Sequence, residues 1–213
     1  MIKLTNFSYN NIFSNINFTF EKGVFYNLYN QYHIGKTTFL KILNLDIITY
    51  SGKITYFDKY TLKTKNKQII PLIKNKISFI PQKPVLILEY SIYDNILLFS
   101  KLIDSKKSIS KKDILNILKN YQLYSVRNKK LIHLDYKYHI TLAIALSFLK
   151  EPNVLLLDDT FQLIEESLQK LLISKIEELL TKGALVILVS NYPINNLPNL
   201  KNFKLEKDII IED

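Results

Sequence analysis

The sequence predicts an α/β fold: a mostly parallel sheet covered by helices, with antiparallel strands at its start and a helical insert in its middle. Three observations carry this reading. Apolar runs of strand length at 24–29, 77–80, 154–157 and 184–189 alternate with longer stretches of helical periodicity, a pattern that gives parallel sheets flanked by helices. Gly35-Lys36-Thr37-Thr38 stands directly behind one strand run and ahead of a helix-like run, the setting of a phosphate-binding loop. Val154-Leu155-Leu156-Leu157 is continuously apolar and closed by Asp158-Asp159, as a central parallel strand is when both faces are buried.

In order along the chain, residues 2–9 alternate as a strand and 16–20 as a second, joined by an Asn-rich turn. Gly23 leads into the strand that feeds the glycine-lysine loop, and Phe39-Leu40-Lys41-Ile42-Leu43 begins a helix. Ser51-Gly52 turns the chain into a strand over 53–57, and the buried strand 77–80 ends at Pro81-Gln82. Helical periodicity at 91–102, 111–121 and 139–150 marks an insert of about 83–150 within a single domain of 1–213. A helix over about 161–181 stops at Gly183, a strand follows at 184–189, and the tail 202–212 reads as a hairpin turning near Glu206-Lys207-Asp208.

The chain has 213 residues and no cysteine, which permits one sizeable core and excludes a disulfide framework or thiolate metal site. It holds no uninterrupted apolar stretch of about 18 residues and no apolar leader block, so a soluble intracellular protein is expected. The formal charge of +10 rests almost wholly on lysine, Arg127 being the sole arginine, and is scattered, with the densest runs at 63–67, 106–112 and Lys129-Lys130. Scattered lysine reads first as solvated surface and second as attraction to an anionic membrane face or acidic partner; a nucleic-acid partner is disfavoured. His133 and His139 are six apart, which makes no helix-face ligand pair.

The chemistry centres on Gly35-Lys36-Thr37. Backbone N–H groups and the helix dipole favour an anion at a helix N-terminus; Lys36 then reaches terminal phosphates and Thr37 holds magnesium. Asp158 is the expected magnesium carboxylate, and Asp159 beside it is placed to polarise water. The loop pattern asks for a further glycine five residues before Gly35, where the chain has Asn30. Asparagine tolerates the left-handed backbone region better than most residues, so Asn30 is the least damaging substitute for that glycine.

Through these residues the chain resembles the nucleotide-binding domains of ABC-type ATPases along nearly its whole length. The resemblance implies a P-loop NTPase core of ABC-ATPase type that binds ATP and Mg2+. Asn30, Gln31, Tyr32, His33, Ile34, Gly35, Lys36, Thr37 and Thr38 match the Walker A segment, and Val154 to Asp159 match Walker B. Tyr9 sits where the family stacks adenine, although a strand aromatic reads the same way in a tyrosine-rich chain. Gln82 matches the Q-loop glutamine, with a role at the metal and in catalysis, and Asn191 after Ser190 takes the switch position. Within the family, Ile70-Pro71-Leu72-Ile73-Lys74 and Tyr93-Asp94-Asn95 look like FtsE, the cell-division ATP-binding subunit. The partners implied are an integral membrane subunit, FtsX-like or a transporter permease, and a second ATPase in a homodimer or heterodimer. The place implied is the cytoplasm, peripheral on the inner membrane face.

The departures from the family pattern bear on turnover. The signature, Leu-Ser-Gly-Gly-Gln in the family, falls on Leu134-Asp135-Tyr136-Lys137-Tyr138, which removes donors that would cap a phosphate. His33 replaces a Walker A glycine, Asp159 the catalytic glutamate and Asn191 the switch histidine. Hydrolysis of ATP to ADP and phosphate is therefore expected to be impaired. A scaffold that binds nucleotide weakly or not at all is the alternative. A DNA-associated ATPase of the family, suggested only by net charge, is disfavoured because the chain lacks a long coiled-coil insertion.

Overall fold

The computed structural model describes residues 1–32, 34–62, 67–103, 109–195, 197 and 199–212. His33 and parts of both long lysine runs, at 63–66 and within 104–108, lie outside the described residues.

Two sheets form the frame. β1 (Ile2–Tyr9), β2 (Phe13–Phe20), β4 (Ser51–Tyr56) and β5 (Tyr60–Leu62) make an antiparallel sheet in the order β2-β1-β4-β5. β1 does not alternate strictly: Asn6 takes a φ of 49° and the register shifts between Leu4 and Phe7. The irregularity turns Phe7 inward after Ile2 and Leu4, and all three are buried.

β3 (Phe25–Tyr29), β6 (Ile77–Ile80), β7 (Val154–Asp158), β8 (Leu185–Ser190), β9 (Leu200–Leu205) and β10 (Ile210–Glu212) make the second sheet, in the order β10-β9-β3-β8-β7-β6. All its pairs are parallel except the β9–β10 hairpin. The period of two along each strand sorts its side chains. Tyr26, Leu28, Leu156 and Ile187 join the core shared with the antiparallel sheet and α1 (Lys36–Leu43). Phe25, Leu155, Leu157, Val186 and Leu188 join a second core on the opposite face. Helices α3 (Ile92–Ile103), α4 (Lys111–Asn120), α5 (Tyr136–Ser147) and α6 (Glu166–Thr181) supply the rest of that core.

Several boundaries differ from the sequence expectation. The second strand begins at Phe13 rather than 16, and the helix expected from 139 begins at Tyr136. The helix expected from about 161 begins at Glu166. Asp159, left-handed at φ 51° and ψ 27°, opens a separate 3-10 turn over Thr160–Leu163. Two elements were not anticipated: the short β5, and α2 (Ile70–Lys74), with a proline in its first turn where the missing N–H costs nothing. Among the described residues no helix is long and apolar enough to cross a membrane.

Candidate nucleotide-binding site

The site lies beyond the carboxyl ends of β3, β7 and β8, where ligands of parallel sheets bind. Backbone bonds hold the three strand ends together: the Asn30 N–H donates to the Ser190 carbonyl at 3.3 Å and the Asp159 N–H to the Val189 carbonyl at 3.0 Å.

The phosphate loop is shaped by side chains as much as by glycine. Gly35 caps α1 in the left-handed region at φ 86°, and an added Cβ would stand 2.7 Å from Ile12 Cγ2, so the β1–β2 turn packs directly on the loop. Asn30 does not use its tolerance of the left-handed region: it is absent from the positive-φ positions, which include Asn6, Asn10 and Asn15. Its contribution is hydrogen bonding. Oδ1 accepts the Tyr32 N–H at 2.8 Å and Nδ2 donates to the Leu205 carbonyl at 2.8 Å, pinning the loop to β9. Gln31 and Tyr32 are exposed at the loop's outer edge, and Ile34 and Thr38 are half-buried beside Gly35 and in the first turn of α1.

Thr37 Oγ1 donates to Asp158 Oδ1 at 3.2 Å, so the first turn of α1 and the end of β7 meet, although 121 positions separate them. Lys36 Nζ curls over the loop, donating to the carbonyls of Asn30 and, at 3.1 Å, Tyr32. Burial lowers the Lys36 pKa, opposed by Asp159 and Asp158. Burial likewise pushes both carboxyls up. For Asp158, Thr37, Lys41, the Gln82 N–H and Lys36 pull in the other direction; for Asp159, the Asp158 charge adds to the rise and Lys36 opposes it. The Gln82 N–H is near enough to act on Asp158, yet Oδ2 makes no hydrogen bond of ordinary geometry. With Asp159 Oδ1 and Thr160 Oγ1 it completes the set of buried side-chain polar atoms left unpaired among the described residues.

Magnesium and a nucleotide fit this arrangement. Hard oxygen donors converge at Thr37 and Asp158, and the unpaired buried oxygens and two carboxylates with raised pKa are short of a cation. Thr37 and Asp158 are the residues that would hold the metal, and Lys36 with the N-terminus of α1 would face the phosphates.

The other expected site residues are distributed around this centre. Gln82 is exposed, at the mouth of a groove of about 850 Å³ that also takes in Thr37 and Asp158. Asn191 is half-buried directly after β8. Tyr9 is half-buried against the first core, paired with Phe13 at the turn that covers Gly35. The degenerate signature occupies the start of α5. There Asp135 makes no side-chain capping bond, Tyr136 Oη donates to the Gln82 carbonyl at 2.6 Å, and Lys137 pairs with Glu165 at 3.4 Å across the surface. The remainder of the groove is lined by residues such as Val85, Leu102 and Lys150.

Sequence reasoning missed Asn27 and Asn202, whose polar network lies behind the switch segment. The available signal was an asparagine in the middle of an otherwise apolar and aromatic strand. The Tyr93-Asp94-Asn95 phrase also has a structural account. Ser91 Oγ accepts the Asp94 N–H at 3.1 Å, capping α3, and the fully buried Asn95 exchanges hydrogen bonds with the backbone of Ile87.

The sequence profile of the family described as ABC transporter matches residues 13–162. The spermidine/putrescine import ATP-binding proteins PotA of Mycoplasma mycoides and Mycoplasma capricolum are each 27% identical over 168 residues, 79% of this chain. That alignment covers 46% of each PotA, so the chain spans about half the length of these relatives. The ABC transporter ATP-binding protein YybJ of Bacillus subtilis is 27% identical over 182 residues, 85% of this chain and 79% of its own. Among solved structures, the dimeric ATP-binding cassette MJ0796 bound to ADP and phosphate superposes with a TM-score of 0.83 at 20% identity, covering 100% of this chain and 98% of the other. A putative ABC transporter ATP-binding protein from Pyrococcus furiosus gives 0.74 at 24% identity, covering 94% and 96%. These likenesses show the P-loop fold with its antiparallel N-terminal strands, and the profile match over most of the sequence shows the family: the chain belongs to the ABC transporter ATP-binding domains.

Proposed function

We propose that this chain is the ATP-binding subunit of a membrane complex. It binds magnesium ATP between the phosphate loop and the end of β7 and couples that binding to a membrane partner. The observation that carries the reading is the Thr37–Asp158 contact at 3.2 Å, with Lys36 near enough for the charges of Asp159 and Asp158 to act on it. When bound, the magnesium nucleotide supplies a polarised phosphoanhydride. Lys36 would neutralise terminal phosphate charge, Thr37 and Asp158 would hold the metal, Asp159 would accept a proton from water, and Gln82 and Asn191 would face the terminal phosphate.

The membrane partner docks in the groove beside Gln82, against a helical unit of about 83–150, and a second ATP-binding subunit closes the site from outside. The PotA relatives, import proteins by name, support a permease as that partner. The FtsE-like alternative, with an FtsX-like partner and a role in cell division, rests on short phrases, one of which helix capping already explains. The location is the cytoplasmic face of the membrane, reached through the partner.

A second reading, a scaffold with little or no hydrolysis, is favoured by the start of α5, where Tyr136 is spent on an intrachain bond to Gln82. Nucleotide titration with and without magnesium tests binding, and phosphate release tests turnover. Magnesium-dependent affinity lost in Lys36→Ala supports the first reading. Affinity without phosphate release supports the second; absence of binding by the unaltered protein overturns the first and leaves a scaffold that takes no nucleotide.

A further inference from the structure

Behind Asn191 lies a polar network that the chemistry above does not use. Asn27 and Asn202 are register partners on the parallel strands β3 and β9, and Asn27 is fully buried. Asn27 Nδ2 donates to Asn202 Oδ1 at 2.8 Å and reaches the Tyr192 carbonyl at 3.3 Å. Ser190 Oγ stands 2.8 Å from Asn27 Oδ1 and 2.6 Å from the Tyr192 carbonyl, and can give its proton to one of them at a time. Asn202 then grips the next stretch of backbone from both sides: its Oδ1 accepts the Ile194 N–H at 3.0 Å and its Nδ2 donates to the Ile194 carbonyl at 3.0 Å.

A fully buried asparagine bonded to a half-buried one within a sheet is costly unless its polar atoms are paired. Here the pairing is directed at one short segment. The backbone is held at Tyr192 and Ile194 from within the sheet, while Ser190 belongs to β8 and accepts the Asn30 N–H on its carbonyl. Asn191 is thus flanked by fixed residues.

We infer that Asn27, Ser190 and Asn202 form a clamp that positions Asn191 toward the terminal phosphate, so that discrimination of ATP from ADP depends on β3 and β9. The inference rests on the nucleotide-site reading above. The three clamp residues act through Asn191 and the backbone and are positioning residues. ADP lacks the terminal phosphate, so its affinity reports the loop and Lys36 without the clamp.

The test is titration of the whole chain, in magnesium, with ADP and with a non-hydrolysable ATP analogue. In Asn202→Ala the preference for the analogue over ADP should fall about tenfold, the worth of one hydrogen bond to a charged group, with ADP affinity kept within about twofold on the same basis. Asn202→Asp keeps both acceptor bonds but turns the donor to the Ile194 carbonyl into an opposing oxygen, so its preference should also fall. An unchanged preference in both variants overturns the clamp and leaves the site. Equal loss for both nucleotides identifies a merely structural role and also overturns it. No binding of either nucleotide by the unaltered protein overturns the site and the clamp together. Should Asn202→Ala fail to fold, amide exchange on the unaltered protein decides. The clamp requires protection of the Ile194 N–H by at least about tenfold over the unstructured rate, and an unprotected Ile194 overturns it.

Discussion

Gly35→Ala should destabilise the protein more than Gly183→Ala, and the difference measures how firmly the β1–β2 turn packs on the phosphate loop. Both glycines are left-handed, at φ 86° and 79°, so each replacement carries a backbone cost of about 1–2 kcal/mol. At Gly183 an added Cβ meets nothing within 4 Å, and the backbone cost is the whole effect. At Gly35 it stands 2.7 Å from Ile12 Cγ2 and 3.6 Å from Phe13 Cζ, so the isoleucine must rotate, at about 1–2 kcal/mol, the lower part of the overpacking range. The expected totals are about 1–2 kcal/mol for Gly183→Ala and about 2–4 for Gly35→Ala, or melting shifts of about 2–4 °C per kcal/mol for a chain of this size. Urea unfolding at constant slope measures both. Adding Ile12→Ala removes the methyl in the way and should return about 1 kcal/mol as a favourable coupling. Equal costs at the two glycines, or zero coupling, would refute the contact. Gly35→Ala should also weaken nucleotide affinity, because displacing the cap moves the first N–H groups of α1.

Asp158→Asn should raise the melting temperature of the nucleotide-free protein at pH 7 by a few degrees, worth about 1 kcal/mol, while abolishing stabilisation by magnesium nucleotide. Burial raises the folded-state pKa of Asp158, so its contribution to stability is present below the ordinary carboxylate range and is lost as pH rises through the raised value. A lower melting temperature for the variant would contradict this account. Lys150 runs the opposite way: burial, then Lys74, brings its pKa down from 10.5 to about 8, so the unfolded chain binds more protons between these values. Stability should therefore climb as pH rises from 8 toward 10.5. Lys150→Met should flatten that climb and gain about 1–2 kcal/mol at pH 7 after solvent screening, read from melting curves across pH 7–10 at the ordinary lysine titration. Tyr136→Phe should cost only about 0.5–1 kcal/mol, the bond to Gln82 being exposed, but should speed amide exchange over residues 81–86; unchanged exchange there would show that the bond does not restrain the groove.

The elements whose signal is local were legible. The buried strands 77–80 and 154–157 could be read because a continuous apolar run admits few other structures, and the Thr37–Asp158 meeting followed from placing two strand ends at one sheet edge. What could not be read depends on atoms distant in sequence. Asn30 was judged by its backbone tolerance, whereas its role is set by a carbonyl on β9 that no window around residue 30 contains. Helix starts were misplaced where backbone conformation, not periodicity, decides: extended Ile164 and Glu165 separate α6 from the 3-10 turn that left-handed Asp159 opens, and non-helical Asp135 begins α5 ahead of its apolar repeat. The same left-handed backbone explains why a short acid suits position 159, since aspartate adopts it more readily than glutamate.

The strand order has a consequence for how the protein comes into being. The antiparallel sheet uses only residues 2–62, and it can close while the rest of the chain is still being made. β3 cannot join its own sheet so early, because both its neighbours, β8 and β9, lie beyond residue 184. The Asn30 side chain likewise waits for a carbonyl 175 positions downstream. At about 5–20 residues per second of synthesis that interval is roughly 9–35 s, during which both edges of β3 lack partner strands and are open to wrong pairing. The phosphate loop, first in the sequence to look finished, is thus among the last parts to be built, and a chain released before Leu205 would carry Gly35-Lys36-Thr37 without the anchor that gives Asn30 its place.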